Sequence, residues 1–550
     1  MDQISDFIVV GGGSGGCAVA GRLTEDPNCS VTVLEAGDKA DSWVVNTPIG
    51  VVAMLPTKLN NWAFETVPQP GLNGRRGYQP RGKMLGGSSS INAMVYIRGH
   101  RQDYDHWAAL GNPGWSYEEV LPYFKRSENN ETLGGAFHGQ SGPLHVSQLR
   151  SDNPYQQIYL EAARQAGFTI NTDFNGAEQE GIGLYQVTQH NGERWTAARA
   201  YLHPHMGKRA NLRVETGCYV TRILFEGKRA VGVQMIQNGQ QTTLRARREI
   251  LLAAGAFQTP QLLMLSGVGD AQALQKLGIP VVHDLPGVGQ NLQDHPDFVF
   301  KYRAKSLDLL GVSVGGGVRI AREFGRFRRE RRGTFTSNGA EGGGFLKTDP
   351  SLPAPDIQLH FVMAMLDDHA RKLHLGHGYS CHVCLLRPKS VGELTLASLD
   401  PRAAPLINPR FLEHPDDLEA MVRGFKLTRK LLDAPALANA RSSDFQTANV
   451  HSDDEIRAAL RQYSDTVYHP IGTCKMGVDA MAVVDPTLCV HGLQGLRVVD
   501  ASIMPTLIGG NTNAPTMMIG EKAADMIRGK SPAAAVPVLD ARSQAETTMA

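Results

Sequence analysis

Hydrophobic positions along this chain fall into two patterns. The first is a short, continuous apolar run that ends in small residues, as in "DFIVVGGGSGG" (Phe7 to Val10 and onward), "SVTVLEAG" and "REILLAAGAFQTP". Such runs predict strands buried on both faces, each leading into a tight turn and a helix. "LRVVDASIMP", near residue 497, is a fourth run of this kind. The second pattern alternates, as in "DIQLHFVM" and "ELTLAS", and predicts an antiparallel sheet with one covered face. "DDLEAMVRGFKLTRKLLD" repeats at helical spacing and is the helix expected to cover it.

The continuous runs lie at the start, the middle and the end of the chain, and the alternating ones lie between. A nucleotide-binding α/β domain assembled from separated pieces is therefore expected over 1–300, with inserted loop-rich segments. A second domain follows over 301–465, a C-terminal return to the first over 466–530, and an Ala/Pro-rich flexible tail over 531–550.

The first turn carries Gly11, Gly13 and Gly16 at G-x-G-x-x-G spacing, with Ser14 where the helix opens. Gly11 permits the turn, Gly13 lets a pyrophosphate approach the backbone, and Gly16 lets helix and strand pack closely. Glu35 ends the second strand nineteen residues past Gly16, where it can accept hydrogen bonds from a ribose diol. Ala254 and Gly255 mark a second strand-turn-helix suited to the same nucleotide, and Asp500 closes the last strand.

Composition narrows the setting. The chain has 550 residues, 20% charged and 42% hydrophobic, with a formal net charge of +1. These are the proportions of a soluble enzyme and give no reason to expect nucleic acid. The N-terminus runs straight into the first strand, and no apolar stretch reaches the roughly 18 residues needed to span a bilayer, so cytoplasmic residence is expected. Seven scattered cysteines argue against a disulfide framework. "CHVC", Cys381 to Cys384, lacks a second pair at zinc spacing and reads as strand, so no metal is expected.

"GKMLGGSSSINAMVYIRGHRQDYD", "GAFQTPQLLMLSGVG", "YHPIGTCKMG" and "GNTNAPTMMIGEKAADMI" together resemble the signature segments of the glucose-methanol-choline (GMC) family of FAD-dependent oxidoreductases. Within it the chain is most similar to the bacterial branch of alcohol and choline dehydrogenases. The resemblance implies a discontinuous Rossmann-like FAD domain, of the GMC and p-hydroxybenzoate hydroxylase type, with an α+β substrate domain on an antiparallel sheet. It implies FAD held by Gly86, Gly87, Asn92, Val95, Val220, Ala501, Asn511 and Thr512 beside the residues above. Some relatives attach FAD through a histidine at the position of Ile91, so a non-covalent cofactor is expected here.

The same resemblance places His469 at the reactive flavin edge, as the base that takes an alcohol proton; an ordinary histidine titrates near ~6.5, a value its neighbours can move. It places Asn513 beside it to hold the alcohol oxygen, with Asn511 as a turn or flavin contact. The implied activity is oxidation of a primary alcohol to an aldehyde, with electrons passed to a quinone or an artificial dye. An oxidase using O2, a choline dehydrogenase, a non-redox flavin lyase and a non-catalytic flavin protein are the alternatives. Glu341 is a candidate partner for a cationic substrate, though similar enzymes of uncharged alcohols carry Glu there too. Finally, "VRIAREFGRFRRERRG", 318–333, holds seven arginines on an amphipathic pattern. It reads either as a solvated surface helix or lid, or as peripheral contact with the inner membrane.

Overall fold

The computed structural model describes residues 4–530; the tail expected over 531–550 lies outside them. Two sheets face each other across a deep cavity.

The first sheet has a parallel half and an antiparallel half. Strands Leu212–Glu215, Val31–Leu34, Ile4–Val10 and Gln240–Leu252 lie side by side in parallel, and Leu496–Val498 joins Gln240–Leu252 on its other side. Gln240–Leu252 is long enough to serve both halves: Gln240 to Arg245 also pair antiparallel with Arg229–Gln237, which pairs in turn with Cys218–Glu226. The continuous apolar runs at the beginning, middle and end of the sequence thus meet in one sheet. Phe7, Ile8, Val9, Ile250, Leu251, Leu252 and Val498 are all buried there.

Two glycines show why the first turn needs its composition. Gly11 has φ +102°, and a Cβ on it would stand 2.5 Å from the Ala253 carbonyl oxygen. A Cβ on Gly16 would stand 2.0 Å from the Gly11 carbonyl oxygen, so the helix Ser14–Leu23 closes onto its strand because Gly16 has none.

The second sheet is antiparallel along its main path: Ser443–Asp444, Pro296–Ala304, Gly376–Leu385, Ile357–Val362, Ala340–Leu346 and Gly181–Leu184. The helix Pro415–Leu432 covers one face, where Phe425 packs on Phe298 and Phe300 at centroid distances of 5.2 and 4.5 Å. Truncating a ring buried this completely costs about 3–5 kcal/mol. Ile357, Leu359 and Phe361 point to the helix side. Strand alternation then sends Gln358, His360 and Val362 to the opposite face, toward the first sheet. The edge strand Gly181–Leu184 and the helix Tyr155–Gln165 come from well before residue 301, so this unit draws on more of the chain than 301–465. Cys381 and Cys384 are buried in the strand Gly376–Leu385, three positions apart and therefore on opposite faces, which prevents them from sharing an ion.

Candidate active site

The cavity between the sheets encloses about 2380 Å³, part of it open to solvent. Its two sides differ in chemistry.

On the first sheet's side three helices begin: Ser14–Leu23, Gly255–Leu265 and Asn513–Arg528. Gly11, Gly13, Ser14, Gly255, Thr512 and Asn513 line the cavity there. Free N–H groups and the positive ends of helices suit a pyrophosphate. A Cβ on Gly13 would meet nothing closer than 3.6 Å, so a side chain at this position would project into the cradle. Asp500 fastens the middle helix, accepting from Gly255 N at 2.9 Å and Thr259 Oγ1 at 2.6 Å, and burial raises its carboxyl. Ala254 and Ala501 line the cavity beside it.

Glu35 also lines this side and is 6% exposed. It accepts from Gly12 N at 3.0 Å and Gly37 N at 2.8 Å, and burial pushes its carboxyl up to about 7 against those two bonds. Gly87, Asn92, Val95 and Val220 line the cavity further on. The Asn92 side-chain oxygen is occupied by Met94 N and Arg194 Nη1, each at 3.0 Å, which leaves its amide NH2 to address a ligand. Gly16 and Gly86 are not cavity residues; Gly86 N donates to Gly12 O at 2.6 Å and shapes the turn from behind. The donor set, the bare cradle at Gly13 and the acceptor at Glu35 fit a dinucleotide such as FAD. Ile91 lines the cavity with an aliphatic chain and offers no atom for a covalent link.

The opposite end of the cavity carries a chain of three side chains. His295 Nε2 lies 3.1 Å from both the Leu386 and Ile508 carbonyl oxygens, so it bears the proton of that ring. Burial drives His295 down to about 4, so its Nδ1 is bare and accepts from His469 Nδ1 at 3.0 Å. With its proton held on Nδ1, His469 presents a bare Nε2, which faces Asn511 Nδ2 at 3.1 Å. Gln358 Nε2 donates to Asn511 Oδ1 at 3.0 Å and so turns the Asn511 NH2 toward His469. This is the tautomer a base requires. Burial first, then His295, His360 and Arg81, push His469 well below its ordinary range, which displaces the expectation of titration near ~6.5.

The backbone before His469 is held by specific contacts. Tyr468 adopts φ +73°, and Asp294 Oδ1 accepts from both His469 N at 2.8 Å and His295 N at 2.9 Å. Arg81 Nη2 donates to the Tyr468 carbonyl at 2.6 Å. Asp294 itself is raised by burial to about 6.

The two asparagines exchange the places expected from sequence. Asn513 does not face His469: its Oδ1 accepts from Ser14 Oγ at 2.8 Å, where two helix N-termini meet. Asn511 stands two residues earlier, before the helix begins, and reaches the histidine. The helix starting at Asn513 turns that side chain toward the dinucleotide side. Glu341 is likewise displaced, since it is fully buried, bonded to Ser337 Oγ at 2.5 Å and Gln156 Nε2 at 2.7 Å, and absent from the cavity lining.

Sequence reasoning passed over His295, Asp294, His360 and His382. His360 and His382 are cross-strand partners lining the cavity, and both ring nitrogens of His360 are buried without a hydrogen-bond partner. Burial lowers His360 to about 3. His382 Nδ1 is 2.6 Å from Asp297 Oδ2. For Asp294 and His295 a signal existed in "NLQDHPDF", where they stand directly before an apolar run and must be satisfied if buried with it.

The arginines of 318–333 are mostly committed. The helix Val314–Glu330 carries Arg319 paired with Asp308 at 3.2 Å and Arg326 paired with Asp152 at 2.6 Å. Just beyond it, Arg331 pairs with Glu193 and Arg332 with Asp152. No helix among the described residues is long and apolar enough to cross a membrane.

A two-sheet frame with a dinucleotide cradle on one side and a buried, hydrogen-bonded histidine pair on the other is the architecture of a flavin-type oxidoreductase. The chain belongs to the GMC oxidoreductases, whose N- and C-terminal family models match residues 5–297 and 388–520. It is 47% identical to an alcohol dehydrogenase [acceptor] of Pseudomonas putida, over 95% of each chain. It is 45% identical to the mitochondrial choline dehydrogenase of Homo sapiens, over 95% of this chain and 90% of that one. Among solved structures it superposes on pyridoxine 4-oxidase from Mesorbium loti with a TM-score of 0.86 at 29% identity, covering 96% of this chain and 100% of that one.

Proposed function

We propose that the protein oxidises a primary alcohol to its aldehyde with non-covalent FAD, and passes the electrons to a quinone-type acceptor rather than to O2. The observation that carries this reading is the ordered chain His295, His469, Asn511, which leaves one bare, buried imidazole nitrogen beside an amide donor. Bound FAD supplies the hydride acceptor. His469 Nε2 takes the hydroxyl proton as the alcohol carbon is oxidised, and a neutral, water-poor ring is ready to do so at any pH above its depressed value. Asn511 Nδ2 holds the alcohol oxygen and fixes the carbon's orientation. His295 keeps the proton of His469 on Nδ1, and Asp294 fixes the backbone that carries both rings. The similarity to a dehydrogenase named for an acceptor supports the acceptor assignment.

Choline is the second reading, favoured by the similarity to choline dehydrogenases and by Asp297, whose buried Oδ1 has no hydrogen-bond partner close behind the cavity residue His382. The test is a screen of the holoenzyme against aliphatic, aromatic and quaternary-ammonium alcohols, with a quinone-like dye and with air alone. Anaerobic formation of aldehyde in step with dye reduction is expected. Turnover that requires O2 would replace the dehydrogenase reading by an oxidase one, and exclusive use of choline would select the second substrate.

A further inference from the structure

Six apolar side chains stand in solvent along one edge of the cavity: Leu307 (43% exposed), Val312 (46%), Val314 (89%), Val318 (64%), Leu373 (80%) and Leu375 (76%). Single exposed apolar residues are ordinary, but a contiguous group marks a surface that meets a second apolar phase. These are contiguous through the main chain. Leu310 N donates to the Met363 carbonyl at 2.7 Å, Val312 and Leu375 form a bridge, and Gly311–Val312 pair antiparallel with Gly376 and His377. Ser313 Oγ and His377 Nε2, 2.7 Å apart, fasten the helix start to the same strand. Leu310, Leu366 and Ala370, from these segments, are half-buried and line the cavity. The patch is therefore the outer rim of the cavity wall.

The rim continues into charge. At about 100° per residue, Val314, Val318, Arg322, Arg328 and Arg329 fall within an arc of about 120° on one helix face. Phe327, on the opposite face, is buried. Arg322, Arg328 and Arg329 are exposed, and the first two have no acidic partner within salt-bridge distance among the described residues. The apolar end of this face and its basic end thus lie in sequence along one outward stripe.

We propose that this rim docks on an anionic lipid surface, with Val314, Val318, Leu373 and Leu375 entering the headgroup boundary and Arg322, Arg328 and Arg329 meeting lipid phosphates. Charge selects lipid over a second copy of the chain, because a two-fold contact through this face would set the same cations against each other. The membrane face is then the outward stripe of the helix and the loop beside it, not Arg319, Arg326, Arg331 and Arg332, which the protein's own carboxylates hold. Docked in this way, the cavity opens toward the bilayer.

The test is co-flotation of the holoenzyme with vesicles of phosphatidylcholine, alone or mixed with phosphatidylglycerol. Binding to the mixed vesicles and much weaker binding to the neutral ones are expected. The variant Val314→Ser, Val318→Ser, Leu373→Ser, Leu375→Ser should bind about 10-fold or more weakly. Changing Arg322, Arg328 and Arg329 to Gln should cost about fivefold per residue and remove the salt sensitivity. Turnover of a short water-soluble alcohol with a soluble dye should be unchanged in both. Wild-type protein that stays off the mixed vesicles, or binds neutral ones equally well, would overturn the proposal. So would an apolar variant that binds like the parent. A wild-type dimer in light scattering that the four serines dissociate would assign the rim to a second copy instead.

Discussion

The dinucleotide side of the cavity is made chiefly from main chain, whereas the opposite wall is made from side chains on an antiparallel sheet and on the loops beside it. Gly11, Gly13, Gly255 and the starts of three helices form the first, with Glu35 and Asp500 bonded to backbone N–H groups. His295, His469, Gln358 and Asn511 form the second, each oriented by another side chain or by a carbonyl far away in sequence. Main-chain sites depend on local φ and ψ and tolerate change in the side chains around them. Side-chain relays depend on every member, so single substitutions there should have larger and more specific kinetic effects.

The largest expected effect tests that asymmetry directly. His469→Ala should slow anaerobic flavin reduction by about 10²- to 10⁴-fold while FAD remains bound, because the ring acts on a proton and not on the cofactor. In the unmodified enzyme kcat/KM for the alcohol should show no loss of the His469 base between pH 6 and 8. A base whose value is lowered by burial stays deprotonated until the pH falls through that lowered value. A rise centred near ~6.5 that disappears in the variant would mean that the ring is wetter than the structure has it.

A smaller effect separates the asparagines. Asn511→Ala should slow flavin reduction about 10²-fold, the scale for losing one preorganised donor, with FAD content unchanged. Asn513→Ala should instead loosen FAD, seen as a lower flavin-to-protein ratio after gel filtration, and leave reduction of the loaded enzyme nearly normal. The reverse result would return the substrate contact to Asn513.

These two residues also show how far the sequence could be read. The central parallel strands of the first sheet were legible because their apolar runs are buried on both faces and the first turn requires glycine, while the half-exposed strands Leu212–Glu215, Cys218–Glu226 and Arg229–Gln237 gave no such run. The antiparallel sheet was legible from alternation in Ile357–Val362. The asparagine placements were not, because Asn511 and Asn513 differ by two residues across a helix start, and spacing alone does not tell which one reaches His469. His295 escaped notice because its partners, Leu386, Ile508 and His469, are brought together only by tertiary folding. The arginine-rich segment suggested an interface from charge density. Its count of arginines concealed how many are neutralised by Asp152, Glu193 and Asp308.

The smallest expected effect lies on the main-chain side, at Glu35. In the cofactor-free protein burial holds its carboxyl up to about 7. A carboxyl raised on folding contributes stability below its ordinary range and loses that contribution as pH rises through about 7. Ribose hydroxyls donate, so they bind the ionised form better than the neutral acid, and binding should draw a proton off Glu35. By linkage, the Kd for FAD should fall as pH rises through about 7 and then level, by several-fold and by no more than about 10-fold per pH unit for a single group. Glu35→Gln should weaken FAD binding and remove this slope, with turnover of the remaining holoenzyme preserved, since the residue is remote from His469. Quenching of FAD fluorescence on titration into apoprotein from pH 6 to 8.5 measures both quantities. A wild-type Kd that does not change across that range would detach Glu35 from the ribose and leave it as a brace between Gly12 and Gly37.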